Sequence, residues 1–184
     1  MYNIEEINKD VKNILSEYRY NHCIMVAKCA KELAIIYNLD SDKAYVAGLL
    51  HDIAKEFTDE ENEYYINKYN IDKKYLTEEL KPVLHGIVGA YYVKEKYNMD
   101  DEICNSIKYH TLGNVNMTLF DKIILISDKL GRNNRDDNLY NKAKENIDES
   151  LVMYFEWLEK RFESKGKKLY KDTIDILNKL KKVI

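Results

Sequence analysis

Apolar residues along the chain recur three and four positions apart, the spacing that lines one face of a helix. A first helix is predicted over residues 4–15 and a second over about residues 21–37, where Val26, Ala30, Leu33 and Tyr37 share a face. His22 precedes Val26 by one turn and shares that face. After a polar break at residues 38–42, with Asp40 or Ser41 as N-cap, Ala44, Ala47, Gly48, Leu50, His51 and Ala54 form a helix of small residues suited to close packing. Thr58-x-x-Glu61 has the form of a capping box and opens the next helix, expected to end near Tyr69-Asn70. A loop with Thr77 and Pro82 follows, and His85 then starts a stretch with Val88, Gly89, Tyr92 and Val93 at helical spacing. Ile103, Ile107 and His110 repeat the pattern before a loop at residues 111–118, expected to lie over the site. Leu119, Ile123, Ile124 and Ile126 make the most apolar helix, and Asp128 sits one turn beyond Ile124. A polar loop at 131–138, one long helix through Leu139, Ala143, Ile147, Leu151 and Tyr154, and a last helix from about Asp172 complete the pattern.

One proline and six glycines agree with an all-α bundle and oppose a turn-rich β protein. The 184 residues fit a single domain, long enough to bury about 70% of the unfolded surface. Charge is balanced, 29 basic against 32 acidic residues with a net of −3, so nothing favours a duplex nucleic acid partner. Cys23, Cys29 and Cys104 lack paired metal spacing and read as reduced thiols. The first ten residues are polar and acidic where a signal peptide would be basic and then apolar, and no apolar run approaches a membrane span. The expected location is the cytoplasm.

Only four histidines occur, His22, His51, His85 and His110, each at an element position where an imidazole makes chemical sense. His51 is followed directly by Asp52. Adjacent helical residues normally diverge by about 100°, but near a helix end two neighbouring side chains can bend to one ion. With His22 and Asp128 the set becomes two imidazoles and two carboxylates, a mixed nitrogen and oxygen set suited to iron, manganese or zinc. Taken singly, each residue also fits a plainer role. A lone histidine on an apolar face is commonly a hydrogen-bonded core residue, Asp128 can cap or pair with a base, and Asp52 can be a surface carboxylate. There is no Gly-x-Ser-x-Gly elbow, phosphate-binding Gly-x-x-x-x-Gly-Lys loop or dinucleotide Gly-x-Gly-x-x-Gly pattern.

The ordered series Arg19-x-x-His22, Leu49-Leu50-His51-Asp52-Ile53-Ala54-Lys55, Leu84-His85-Gly86-x-Val88-Gly89-Ala90, Tyr109-His110-Thr111-x-Gly113 and Ile126-Ser127-Asp128-Lys129 resembles the HD-domain metal-dependent phosphohydrolases. The resemblance runs over residues 19–173, and its second half is similar to the bacterial symmetrical diadenosine tetraphosphate hydrolases. It implies a compact HD-domain helical bundle, with core motifs over about 19–130 and C-terminal helices over 139–184 completing the nucleotide site. It also implies a divalent metal, iron first with manganese, cobalt or zinc as alternatives, held by His22, His51, Asp52 and Asp128. His85 and His110 would face substrate phosphates or complete a second metal site. Thr111, Ser127, Arg135, Tyr170 and Thr173 are expected on the substrate side. That family has a His-Pro pair where this chain has Tyr170-Lys171.

The implied reaction is attack of a metal-bound hydroxide on the polyphosphate bridge, yielding two ADP, with Asp52 doubling as proton acceptor. Lys55 is placed to neutralise charge and Arg135 to grip a terminal phosphate, although each also reads as an ordinary surface cation. Two other functions fit the pattern, an HD nucleotidase or phosphodiesterase acting on nucleoside monophosphates or cyclic dinucleotides, and a non-catalytic nucleotide-sensing module. A homodimer is suggested by the resemblance alone.

Overall fold

Side chains cap most of the helix starts, and these caps set where each element begins. The computed structural model describes residues 2–184, folded into ten α-helices with no strand among the described residues. They are α1 (Ile4–Ile14), α2 (Glu17–Ile36), α3 (Ser41–Leu50), α4 (Asp59–Lys68), α5 (Leu84–Tyr97), α6 (Asp101–Tyr109), α7 (Leu119–Leu130), α8 (Asp137–Glu145), α9 (Ile147–Glu163) and α10 (Lys171–Leu180). Asp40 accepts the Asp42 and Lys43 N–H groups, and Thr58 and Thr118 each complete a reciprocal capping box, with Glu61 and Asp121.

Two sequence expectations change. The second helix starts at Glu17 instead of residue 21, because the Ser16 side chain accepts the Arg19 N–H and nucleates a turn earlier. Arg19 therefore stands one turn before His22. The long helix expected over 139–154 is two, because Asn146 takes an extended backbone (φ −151°, ψ 108°). Its N–H closes α8 on the Lys142 carbonyl while its side chain accepts the Asp148 and Glu149 N–H groups to open α9. Periodicity cannot reveal such a break, since the apolar positions on both sides stay in register.

The long α2 is central and packs on α3 and α7, with α5 and α6 stacked beyond α3. Ala27, Ala30 and Ala34 of α2 and Ala44 and Ala47 of α3 are fully buried, and a Cβ on Gly48 would lie 2.8 Å from the Ala27 Cα. The main core adds Leu33, Leu49, Ile103, Ile107, Ile123 to Ile126 and Phe155, all fully buried. A second cluster of Ala54, Ile71, Leu84, Ile87 and Val88, edged by Phe57, Tyr65, Tyr69 and Tyr91, joins α4 to α5. This arrangement gathers five helix portions in one place: the first turns of α2, the ends of α3, α6 and α7, and the start of α5. No helix among the described residues is long and apolar enough to cross a membrane.

Candidate metal centre

Every histidine of the chain anchors one ring nitrogen to a backbone carbonyl. His51 Nδ1 lies 2.7 Å from the Gly48 carbonyl, His85 Nδ1 3.0 Å from Pro82 and His110 Nδ1 2.6 Å from Ile107, in each case the residue three positions back. His22 reaches across the fold, its Nδ1 3.1 Å from the Gly131 carbonyl at the end of α7. A carbonyl only accepts, so each ring donates from Nδ1 and turns Nε2 towards the interior. The four Nε2 atoms meet the carboxylates of Asp52 and Asp128. His22 Nε2 is 3.1 Å from Asp128 Oδ1 and His85 Nε2 is 3.0 Å from Asp52 Oδ1. His110 Nε2 is 3.6 Å from Asp52 Oδ1 and 3.2 Å from His85 Nε2.

His51 Nε2 is the most telling atom, buried without a hydrogen-bond partner and 3.6 Å from both Asp52 Oδ2 and Asp128 Oδ1. A buried lone pair facing two carboxylates calls for a cation between them. One donor atom from each of His22, His51 and Asp128 lies within 4.8 Å of the others, and the same holds for His51, Asp52 and His110. His51 belongs to both groups. The residues present therefore fit a divalent ion, with neutral imidazole nitrogens and carboxylate oxygens as donors. Three of the four expected ligands sit together in one group, Asp52 joins through His51, and His110 enters the donor set beside them.

The electrostatics follow from burial and proximity. Burial pushes the Asp52 carboxyl up, but His51, His110 and His85 outweigh it and hold the group well below the usual carboxylate range. Asp128 is depressed likewise, against burial, by the Lys129 ammonium and by His22 and His51. His51 moves up because Asp52 and Asp128 overcome its desolvation, whereas burial brings His85 down to about 4 despite Asp52. Lys55 is lowered by desolvation at the crowded mouth, its Nζ 3.1 and 3.3 Å from the two His85 nitrogens.

Above the centre lies a cavity of about 1050 Å³, lined by Arg19, His22, Asp52, Lys55, His85, His110, Thr111, Asp128, Lys129 and Arg132. Of the expected substrate-side residues only His85, His110 and Thr111 line it. Ser127 is fully buried against Cys29, one helical step from the cavity wall. Arg135 lies over the Tyr140 ring, 3.7 Å from its centroid, in a neighbouring pocket of about 420 Å³ that shares Arg132, Asn133 and Asn134 with the cavity. Tyr170 donates its hydroxyl to the Glu79 carbonyl and Thr173 to the Leu112 carbonyl, so this pair latches the start of α10 to two loops. Most of the 111–118 loop likewise turns away, with Gly113 packed against Ile176 and Leu125.

Three cations escaped the sequence reading as site residues. Arg19 Nη1 pairs with Asp52 Oδ2 at 2.7 Å, Lys129 pairs with Asp128, and Arg132 lines the cavity. Arg19 opens the ordered motif series, but its role beside Asp52 emerges only once α2 is known to begin at Glu17. Lys129 answers the need of buried Asp128 for a partner, and Arg132 stands in a loop where spacing says nothing.

Residues 19–133 match the family described as HD domain. The chain is 33% identical to the symmetrical bis(5'-nucleosyl)-tetraphosphatase of Halalkalibacterium halodurans, over 92% of each protein. It is 34% identical to the protein of the same name from Staphylococcus aureus, over 96% of this chain and 93% of that one. A crystal structure from Clostridium acetobutylicum, described as a predicted HD superfamily hydrolase involved in NAD metabolism, superposes with a TM-score of 0.89 at 32% identity over the whole of both chains. On this match, and on the His51-Asp52 doublet set among histidines and a distant aspartate, the chain belongs to the HD domain family.

Proposed function

We propose that this protein is a metal-dependent hydrolase of dinucleoside polyphosphates, cleaving diadenosine tetraphosphate symmetrically to two ADP in the cytoplasm. The observation that carries the reading is the convergence of four imidazoles and two carboxylates under a cavity edged by Arg19, Lys55, Lys129 and Arg132, in a chain that spans nearly the full length of relatives bearing that name.

His22, His51, Asp52 and Asp128 would hold the ion, iron first, with His110 and His85 as donors to a second ion or contacts for phosphate. When bound, a divalent ion supplies Lewis acidity, which acidifies water and polarises a phosphoryl oxygen. Asp52, with Oδ2 paired to the Arg19 guanidinium at 2.7 Å, is oriented by that pair and serves as acceptor for the proton of the attacking water. The water oxygen forms a bond to a bridge phosphorus as the bridging P–O bond breaks, and the departing ADP carries the electron pair of that bond. Lys55, Arg19 and Arg132 offset the charge gathering on the phosphoryl oxygens. Lys55 thus acts beside Asp52 at the reacting phosphates.

A substrate panel tests the assignment. The chain loaded with Fe(II), Mn(II) or Co(II) is expected to turn over diadenosine tetraphosphate and leave AMP and cyclic diadenylate intact; preference for either of the latter would move the function to the nucleotidase or phosphodiesterase class. Absence of turnover on all three would favour the sensing module.

A further inference from the structure

Beside the main cavity runs a second groove of about 870 Å³, between α4 and the segment at residues 76–84. The two spaces share Lys55 and His85 as common wall, and His85 Nε2 is 3.0 Å from Asp52. We infer that this groove seats the second nucleoside of the dinucleoside substrate, an inference that rests on the hydrolase reading above.

Charge divides the two compartments. The cavity carries Arg19, Lys129 and Arg132 along with Lys55, whereas the groove carries Lys55 and Lys81 against Asp59, Glu63 and Glu78. A polyphosphate chain, dense in negative charge, belongs with the guanidinium groups. An uncharged nucleoside suits the other side. Phe57, Ile66, Leu76 and Pro82 give the groove apolar walls over the second hydrophobic cluster, and Leu76 keeps 41% of its surface exposed. A purine has apolar faces that bury against such walls and hydrogen-bonding edges that the Asn67 amide and Asn62 Oδ1 can meet, the Asn62 NH2 being held by the Phe57 and Thr58 carbonyls, while the Asp59 and Glu63 carboxylates can accept ribose hydroxyls. Each compartment falls in or near the size range of small-molecule sites. A bridge crossing at Lys55 and His85 passes Asp52 with one nucleoside on either side.

The test compares a ligand with two nucleosides and one with a single nucleoside. Leu76→Glu places a charge on the groove wall at an exposed position, and Ile66→Trp narrows the groove without touching the metal centre. KM for diadenosine tetraphosphate is expected to rise about tenfold in each variant, while the inhibition constant of adenosine 5'-tetraphosphate as competitor stays within about twofold. The competitor constant doubles as the control for folding. Equal losses for both ligands, or an unchanged KM, would overturn the groove assignment. A wild-type protein that leaves diadenosine tetraphosphate uncut would overturn the hydrolase reading itself, and the groove assignment with it.

Discussion

His51, His85 and His110 each donate to the carbonyl three residues back, so the same short turn that ends or starts a helix also sets where Nε2 points. The Ile107 carbonyl is closely approached by Gly86. A Cβ on Gly86 would lie 3.0 Å from the Ile107 carbonyl that receives His110 and 3.3 Å from the His110 ring. Gly86→Ala should therefore displace His110 and lower metal affinity about tenfold or more while leaving helix content intact, as read by metal titration alongside circular dichroism. Unchanged affinity would show that His110 stands outside the donor set. Arg19→Ala removes the only ion pair among the described residues that fixes Asp52 Oδ2 from outside the histidine cluster. Its turnover should fall on the order of tenfold to a hundredfold with metal content preserved, which stopped-flow or steady-state rates on the metal-loaded protein would check. The histidines and aspartates were legible in the sequence because a sparing residue type recurred in an ordered series. Their tautomers were not, because a carbonyl has no sequence identity. Arg19, although it opens the motif series, and Arg132 were missed as site residues for a related reason, since the role of one cation among so many shows only when the fold brings it to Asp52 or to the cavity.

Capping residues mark most element boundaries, and their energetics can be tested without touching the site. Asp100 accepts the Ile103 N–H at 3.0 Å to open α6 and pairs with Lys43 at 2.9 Å. Burial pushes its carboxyl up, but the Lys43 ammonium and the Ile103 N–H outweigh that and lower it. A carboxyl lower in the folded than in the unfolded state adds stability above its unfolded value of about 4, and that stability drains away as pH falls. Asp100→Ala should thus cost about 1 kcal/mol at pH 7, with the gap from wild type shrinking as pH approaches about 3 in urea titrations. A gap that stays constant with pH would place the whole effect in something other than the ionised cap. The starts of α3 and α4 were readable in this way from Asp40 and Thr58, because their side chains carry the boundary. The α8–α9 break at Asn146 was hidden, because Leu139, Ala143, Ile147 and Leu151 keep helical spacing straight across it.

The centre draws its side chains from α2, α5 and α7 and from the ends of α3 and α6, so an ion there ties the bundle together. Metal bound at about a hundred times its dissociation constant adds about 2.7 kcal/mol to stability, or roughly 5–10 °C of melting temperature for a chain of this size. Removal with a chelator should lower the midpoint by that amount in wild type and leave Asp128→Ala nearly unmoved, as differential scanning calorimetry would show. All-helical architecture and the order of the motifs were legible in the chain, since both are local properties. Pocket walls were less so: Arg135, Tyr170 and Thr173, expected on the substrate side, fall outside the main cavity through the long-range packing of α10 and the 131–138 loop, and Ser127 falls outside it on the buried face of α7. Whether this His/Asp centre cuts the polyphosphate bridge at its midpoint is decided by its products. The most direct measurement incubates the metal-loaded chain and an Asp52→Ala variant with diadenosine tetraphosphate and resolves the nucleotides. The account predicts ADP as the sole product of the wild type and none from the variant; ATP with AMP, or ADP that persists without Asp52, would contradict it.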